Sequence, residues 1–269
     1  MFTMGPAILF CPADRPERYA KAADRADAVI LDLEDAVAPA DRAQARQAVV
    51  DNPLDPERTI VRVNPLGTKD HAQDMAALQR TGYSTIMLAK SENAEAIAGL
   101  AGYGVVALCE TALGVLSAPD IARTGNVVAL MWGAEDLLAS LGGTSSRNAG
   151  GTYRDVARQA RSQVLLAAGA YGKTAIDSVY VDIPDLDGLA AEADDAVACG
   201  FGAKALIHPS QIPVIRAAYL PSEAAVADAA ALLEAARTEP GVFRFRGKMV
   251  DGPLIKHAEQ TLRRAGLTG

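Results

Sequence analysis

Short apolar runs recur along the chain, and each is followed by a segment whose apolar residues have helical spacing. The runs are nearly continuous in apolar character, which is typical of parallel strands covered on both faces. They lie at residues 7–13, 28–35, 59–65, 85–90, 105–111, 127–136, 178–183 and 203–209. Eight β-then-α units predict an α/β fold, a (β/α)8 TIM barrel. A doubly wound open sheet has the same periodicity and remains the competing arrangement.

Two further helices are predicted after the eighth run, at residues 222–239 and 253–266, with a glycine-bounded stretch of alternating aromatic residues between them. This tail is longer than closure of a barrel requires. We therefore predict a catalytic barrel domain over residues 1–220 and a C-terminal helical extension over residues 221–269, packed on the barrel or on another subunit.

Composition narrows the class of protein. The 269 residues are 50% hydrophobic and 22% charged, and a chain of this length buries a core that needs no disulfide. Its three cysteines, Cys11, Cys109 and Cys199, form no CxxC pair. This spacing predicts reduced thiols in a cytoplasmic protein and argues against a zinc site. No apolar run is long enough to span a membrane, and the N-terminal residues do not resemble a signal peptide.

Charge restricts the ligands. The formal net charge is −7, which argues against a general nucleic-acid binder. An anionic substrate therefore needs a local basic cluster, and Arg15, Arg18, Lys21 and Arg25 form one near the start of the chain.

Polar side chains follow the predicted strands at the points where the strands end. In a barrel these C-terminal ends meet at one rim, where active sites are built. The residues concerned are Asp32, Glu34, Asp35, Arg62, Asn64, Lys90, Glu110, Glu135, Asp136, Asp182 and His208. The general polarity of loops explains one or two of them, but not a charge at nearly every strand end.

Glu110 and Asp136 end neighbouring strands, so their carboxylates are expected close together across the barrel mouth. Two like charges repel unless a cation lies between them. Mg²⁺ binds oxygen ligands and commonly uses one or two carboxylates, while water and substrate fill the other positions. The sequence therefore favours a magnesium site, with a salt bridge to Arg62 or Lys90 as the alternative.

Small residues precede the acid at the end of the sixth strand. Gly133 and Ala134 allow a ligand to approach the backbone closely. If a helix begins here, the amides around Glu135 and Asp136 form a binding site for a substrate carboxylate. The alternative is a plain strand-to-helix turn with Asp136 as its N-cap.

The remaining polar residues of the rim are assigned supporting roles. Asp32 and Glu34 lie on the same side of their strand, and they are expected to hold Arg62, Lys90 or metal-bound waters rather than the metal itself. His208 is either an acid–base group or a hydrogen-bonded structural histidine.

Eight motifs together resemble the citrate lyase β-subunit and malyl-CoA lyase family, within the HpcH/HpaI aldolase group, and are most similar to its stand-alone actinobacterial members. The motifs are LFCPADRPERYAKA, VILDLEDAVAPADRAQAR, VRVN, MLAKSE, LCETALGV, GAEDLLASLG, LIHPSQI and GKMVDGPLIKHAE. Each is weak alone, but they follow one another in family order from residue 9 to residue 259. In MLAKSE, Ala89 stands where family members often have proline.

The resemblance implies a substrate pocket at the barrel mouth. Glu110 and Asp136 would hold Mg²⁺, and Arg62 would bind the oxygen atoms of the substrate. The amides near Ala134 and Glu135 would bind its carboxylate. Ile207 and His208 are placed in the same pocket.

The resemblance also implies how coenzyme A and the subunits contribute. Phe10, Arg15 and Lys21 match positions that contact coenzyme A, whose phosphates need basic side chains. Asp251 matches an acid–base residue that family members deliver from the C-terminal segment of an adjacent subunit. A homo-oligomer, trimer or hexamer, is therefore expected.

The implied activity is that of a magnesium-dependent carbon–carbon lyase. It would reversibly cleave a 3-hydroxyacyl-CoA thioester, such as citramalyl-, malyl-, citryl- or hydroxymethylglutaryl-CoA, into an acyl-CoA and a 2-oxo or related acid. One alternative is an aldolase on free hydroxy-oxo acids, which needs neither Arg15 nor Lys21. Others are a lyase subunit acting on an acyl-carrier-protein thioester and a non-enzymatic metabolite-binding barrel. The full set of polar rim residues counts against the last of these.

Overall fold

The strands form a closed barrel. In the computed structural model, which describes residues 2–239 and 241–267, eight parallel strands pair in sequence order and β8 pairs with β1. The strands are β1 (Ala7–Pro12), β2 (Ala28–Asp32), β3 (Thr59–Val63), β4 (Thr85–Leu88), β5 (Gly104–Cys109), β6 (Val127–Trp132), β7 (Thr174–Asp177) and β8 (Ala203–Leu206). The predicted (β/α)8 TIM barrel is confirmed, and the pairing of β1 with β8 excludes an open sheet.

Alternate residues of each strand fill the barrel interior. Ile8, Ile30, Ile60, Met87 and Leu108 belong to one buried cluster, because successive side chains of a strand point to opposite faces. The residues between them face the surrounding helices and are also buried. Both faces of the strands are therefore apolar, which explains the nearly continuous apolar runs.

Helices follow the strands. They are α1 (Tyr19–Arg25), α2 (Arg42–Asp51), α3 (Lys69–Leu78), α4 (Ala94–Ala98), α5 (Ala112–Arg123), α6 (Ala134–Ser140), α7 (Asp155–Ala170), α8 (Leu186–Cys199) and α9 (Ile212–Tyr219). Several begin at a side chain that accepts a hydrogen bond from the first turn, as at Thr68, Asn93, Thr111 and Asp185. Such N-caps satisfy amide groups that have no acceptor within the helix.

The seventh strand lies four residues earlier than predicted. It was expected at residues 178–183, but the structure places β7 at Thr174–Asp177 and a loop after it. The carbonyl groups of Ser178 and Tyr180 accept hydrogen bonds from side chains rather than from a neighbouring strand, and Val181 is 49% exposed. Asp182 therefore lies in the loop, and Asp177 ends the strand instead.

The chain divides into two compact units, one ending at Ile215 and the other beginning at Arg216. The second unit contains α10 (Glu223–Thr238), β9 (Phe243–Phe245), β10 (Lys248–Val250) and α11 (Gly252–Arg264). The two short strands pair antiparallel, and the turn between them has positive φ at Arg246 and Gly247, as two-residue hairpin turns require. None of the helices in the described ranges is long and apolar enough to cross a membrane.

Candidate active site

A cavity of about 380 Å³ lies at the C-terminal ends of the barrel strands. Ten residues singled out from the sequence line it, and they come from six different strands or the loops that follow them. These residues are Phe10, Asp32, Asp35, Arg62, Glu110, Gly133, Ala134, Glu135, Asp136 and Ile207. The barrel therefore gathers in one place side chains that are far apart in the chain.

Arg62, on β3, is held by two acids, Asp32 at the end of β2 and Glu34 just after it. Its Nε and Nη2 donate to the two carboxylate oxygens of Asp32 at 2.7 and 2.6 Å. Its Nη1 lies 3.1 Å from Glu34 Oε2 in an ion pair that lacks hydrogen-bond geometry. The guanidinium carbon also lies 5.0 Å from the centre of the Phe10 ring. Because Asp32 occupies two N–H groups, further N–H groups of Arg62 remain for a ligand in the cavity.

These contacts keep Arg62 charged. Burial acts to lower the pKa of the guanidinium, but Asp32, Glu34 and Glu110 together more than offset this effect and the pKa is raised. The cavity therefore presents a permanent, oriented cation on its β3 side.

Lys90 is held by Glu34 and Asp35, which follow β2. Its Nζ donates to Glu34 Oε1, and Nζ also lies 3.8 Å from an oxygen of Asp35. Its own backbone has φ +49°, a region that non-glycine residues seldom adopt. In this conformation the Lys90 amide donates to Glu110 Oε1 at 3.0 Å. The backbone of Lys90 thus orients Glu110 while its side chain neutralises Glu34.

Glu110 and Asp136 have no cationic partner among the described residues. Glu110 follows β5 and is 1% exposed. Asp136 lies half-buried in the first turn of α6 and makes no ion pair there. Burial first, and then the Asp136 and Glu34 carboxylates, raise the pKa of Glu110 to about 8 against the opposing effect of Arg62 and Lys90. The salt bridge to Arg62 or Lys90, which was the alternative to a metal site, is therefore not formed.

Gly133 makes room for Glu110. A Cβ at position 133 would lie 2.8 Å from the Glu110 Cβ and 2.9 Å from its Oε2, both shorter than van der Waals contact. Only glycine allows β6 and the Glu110 side chain to approach this closely.

The two carboxylates fit a magnesium ion by their chemistry. Both offer hard oxygen ligands to one cavity, and a divalent cation would remove the unfavourable interaction that raises the pKa of Glu110. Within the described residues, no group of three His, Cys, Asp or Glu side chains could hold a metal. A metal here would thus have two protein ligands and would complete its shell with water and substrate, as Mg²⁺ commonly does.

Helix α6 begins at Ala134, directly after Gly133. Gly133 is its N-cap residue and Asp136 lies in the first turn, so the alternative with Asp136 as N-cap is wrong. The Ala134 amide donates to Ser178 Oγ at 3.3 Å. The Glu135 carboxylate accepts a hydrogen bond from Ser146 Oγ at 2.5 Å, which ties the loop after α6 to the rim of the cavity.

Three other residues assigned to ligands from the sequence lie outside the cavity lining. Arg15 is exposed and lies 3.7 Å from Asp14, and Lys21 is exposed on α1. His208 is also exposed, and its ring accepts a hydrogen bond from the Ser210 amide at the start of a short 3₁₀ helix. This contact is compatible with the hypothesis of a hydrogen-bonded structural histidine, and the acid–base role of His208 stays a prediction.

Asp251 belongs to the second unit. It is half-buried at the N-cap position of α11, directly after β10, but its carboxylate does not cap the helix. An aspartate at this position usually accepts a hydrogen bond from the first turn. Its carboxylate is therefore not committed to α11.

Sequence analysis missed several residues of the cavity wall. They are Pro12, Leu108, Met131, Ser178 and Val179. The apolar residues among them have the pattern of ordinary core residues, and nothing in the sequence distinguishes a cavity-wall residue from a core residue. Ser178 was placed at the start of the seventh strand, the end remote from the rim. The correct strand bounds would have put it on the rim.

Comparison with known proteins gives one consistent family. A family model described as HpcH/HpaI aldolase/citrate lyase matches residues 7–209. A citrate lyase subunit beta-like protein of Mycobacterium tuberculosis is 57% identical over 262 residues, which cover 97% of this chain and 96% of that protein. Human mitochondrial citramalyl-CoA lyase is 31% identical over 290 residues, which cover 95% of this chain and 84% of the human protein.

One solved structure is similar to this chain over nearly its whole length. It is the crystal structure of the protein CitE from Mycobacterium tuberculosis in complex with magnesium, acetoacetate and coenzyme A. The TM-score is 0.95 and the sequence identity 56%, with 99% of this chain and 100% of that chain covered.

Proposed function

The chain belongs to the HpcH/HpaI aldolase/citrate lyase family, and from this premise we propose that it reversibly cleaves a carbon–carbon bond of a 3-hydroxyacyl-CoA thioester. It is a magnesium-dependent lyase. The proposed products are an acyl-CoA and a 2-oxo or related acid. Citramalyl-, malyl-, citryl- and hydroxymethylglutaryl-CoA are the candidate substrates.

The observation that best supports this proposal is how the charged side chains of the cavity pair with one another. The acids at the end of β2 bind Arg62 and Lys90, and neither cation forms an ion pair with Glu110 or Asp136 among the described residues. Two carboxylates without a cation are unfavourable in a buried site unless a metal joins them. The arrangement thus supports a magnesium site at these carboxylates with a fixed guanidinium beside it.

We assign Glu110 and Asp136 as the residues that hold Mg²⁺. When bound, the ion acts as a Lewis acid that polarises substrate oxygens. Arg62 donates from its remaining N–H groups to the hydroxyl oxygen that becomes the carbonyl of the 2-oxo acid, and stabilises the charge that develops on it. Asp32 and Glu34 fix the guanidinium in the orientation needed for this contact.

As the substrate hydroxyl loses its proton to solvent and becomes a carbonyl, the carbon–carbon bond breaks and leaves its electron pair on the α-carbon of the acyl-CoA product. We assign Asp251 of a neighbouring subunit as the acid that protonates this carbon, and as the base that removes the proton in the reverse direction. Its carboxylate is suited to the role because it does not cap its own helix. Arg15 and Lys21, exposed after β1, are proposed to bind the phosphates of coenzyme A, with Phe10 at the entrance to the pocket.

The proposal is tested with a panel of substrates assayed with and without Mg²⁺. The four CoA thioesters are compared with free hydroxy-oxo acids and with the same acyl groups on an acyl carrier protein. We expect Mg²⁺-dependent cleavage of at least one CoA thioester. Cleavage of free acids alone, or of carrier-protein thioesters alone, would establish the corresponding alternative.

Glu110→Gln keeps the size of the side chain and removes its charge. Loss of a group behind a metal ligand already lowers metal affinity about 10- to 100-fold, so loss of a ligand is expected to lower cleavage by more than about a hundredfold. Glu92→Gln is the matched control, because Glu92 is a half-buried acid on the same rim that accepts a hydrogen bond from Thr111 and lies outside the cavity lining. Full activity in Glu110→Gln would refute the metal assignment.

A further inference from the structure

Ser178 is a polar residue of the cavity wall that the proposed mechanism does not use. It follows β7, is 2% exposed and lines the cavity. Its Oγ accepts the Ala134 amide hydrogen at 3.3 Å. A hydroxyl also carries one hydrogen to donate, and the described residues offer no acceptor for it.

The backbone of Ser178 is fixed by a buried cation behind the cavity wall. Lys204 Nζ donates to the Ser178 carbonyl at 2.7 Å, to Asp177 Oδ2 at 2.9 Å and to Glu192 Oε1 at 2.9 Å. Lys204 is fully buried, and all three of its ammonium hydrogens are used. Asp177 is held in turn by Trp132 and Arg161. The backbone of Ser178 is therefore held in place by this cluster, and the Ala134 amide orients its hydroxyl.

Hydrogen-bond donors are scarce in the cavity. The other polar side chains that line it are Asp32, Asp35, Glu110, Glu135 and Asp136, and carboxylates only accept hydrogen bonds when ionised. Arg62 and Ser178 are the side chains among the lining residues that can donate. An ionised 2-oxo acid carries only acceptor oxygens, so both side chains are suited to bind it.

We propose that Ser178 is a substrate-binding residue whose hydroxyl donates a hydrogen bond to an oxygen of the 2-oxo acid and to the same oxygen in the thioester. This inference rests on the proposed function, because it assumes that the acid lies in this cavity. Ser178 and Arg62 then contact the acid from different strands of the barrel, while Glu110 and Asp136 face it with the metal.

The test is the affinity for pyruvate in saturating MgCl₂, measured by isothermal titration calorimetry on the full-length protein. A hydrogen bond to a charged group is worth enough that its loss lowers affinity about tenfold or more. We expect this loss in Ser178→Ala, with unchanged affinity for Mg²⁺ alone. If Ser178→Ala does not fold, Ser178→Cys keeps the volume, replaces the hydroxyl by a weak donor and is expected to show the same loss.

Ser91→Ala is the matched control. Ser91 is a fully buried serine that follows β4 on the same rim, but its hydroxyl donates to the Leu88 carbonyl. Its removal should leave pyruvate affinity unchanged. Wild-type affinity for pyruvate in Ser178→Ala would overturn the inference.

The two proposals fail separately. A wild-type protein that binds pyruvate through Ser178 but cleaves no thioester would contradict the proposed function and leave the role of Ser178 intact. A protein that cleaves a CoA thioester with the same KM and pyruvate affinity in Ser178→Ala would retain the function and refute the role of Ser178.

Discussion

Glu110 experiences burial and like charge together, and both favour its protonated form. The pKa of Glu110 is raised to about 8, first by burial and then by Asp136. The nearby cations do not reverse this shift because they are paired with Asp32 and Glu34. At neutral pH without a metal, the carboxyl is therefore mostly protonated, and a metal ion must displace its proton.

This competition predicts a pH-dependent affinity for Mg²⁺. Because the pKa of an acid is raised, the ionised, metal-binding form is lost as the pH falls below about 8. Apparent Mg²⁺ affinity is expected to weaken by about tenfold per pH unit between pH 8 and pH 5 and to stay level above pH 9. Calorimetric titrations in two buffers of different ionisation enthalpy would also report the release of the proton.

Glu110→Gln provides the comparison for this titration. Its residual affinity for Mg²⁺ should not change with pH over the same range, because the group that competes for the proton is gone. An affinity of the wild-type protein that is constant from pH 6 to pH 9 would show that Glu110 does not bind the ion.

At the scale of helices and strands, a buried ionic cluster joins the last part of the barrel to its outer layer. Lys204 on β8 and Asp177 on β7 point away from the barrel interior and are fully buried. Arg161 of α7 donates to Asp177, and Glu192 of α8 accepts from Lys204. Burial acts to raise the pKa of Asp177, but Lys204 and Arg161 more than offset this effect and the pKa is lowered.

Lys204→Met tests how much this cluster contributes to stability. The substitution leaves Asp177 and Glu192 buried without their shared cation, and removal of one partner of a buried ion pair typically destabilises a protein by about 3–5 kcal/mol. We expect a loss of that size in the free energy of unfolding measured with urea. Lys69→Met, at an exposed lysine, should change it by less than about 0.5 kcal/mol. A loss below about 1 kcal/mol for Lys204→Met would indicate that Arg161 alone satisfies Asp177.

At the scale of the whole molecule, the chain places Glu110 and Asp136 in one unit and Asp251 in the other. Under the proposed function, each active site is completed by Asp251 of a neighbouring subunit. The protein would then be active only as an oligomer, and every interface would carry a catalytic group.

Mixed oligomers of two inactive variants test this arrangement. Glu110→Gln and Asp251→Asn are each expected to be inactive, but when co-expressed they form some sites with an intact Glu110 from one subunit and an intact Asp251 from the next. If the subunits mix at random, about a quarter of the sites are complete, and activity should recover to about that fraction. If Asp251 acts within its own chain, every site lacks one group and no activity returns.

The barrel was predictable because its physical signal is repeated. Each strand is buried on both faces, so the apolar run marks it whatever its partners are. β7 is the exception. The run at residues 178–183 is apolar but partly exposed, whereas β7 itself contains the charged Asp177. A buried charge in a strand is tolerated only because Lys204 and Arg161 are brought to it by the fold, and no local pattern in the sequence shows that.

The site was predictable to the extent that its residues end strands. Glu110 and Asp136 were expected at one rim, and the structure places both in one cavity. The pairing of Arg62 and Lys90 with the acids after β2 rather than with Glu110 depends on side-chain geometry, so the sequence left both possibilities open. Ser178 escaped notice because a displacement of four residues in the seventh strand moves it from one end of the barrel to the other.

The absence of a side-chain carbon at Gly133 also limits which substitutions this protein can accept. Any substitution of Gly133 introduces a Cβ that collides with the Cβ of Glu110. Replacing Glu110 by a shorter residue would remove its carboxylate from the cavity. A change at either position is therefore costly by itself, so active variants of this enzyme should retain Gly133 and Glu110 together.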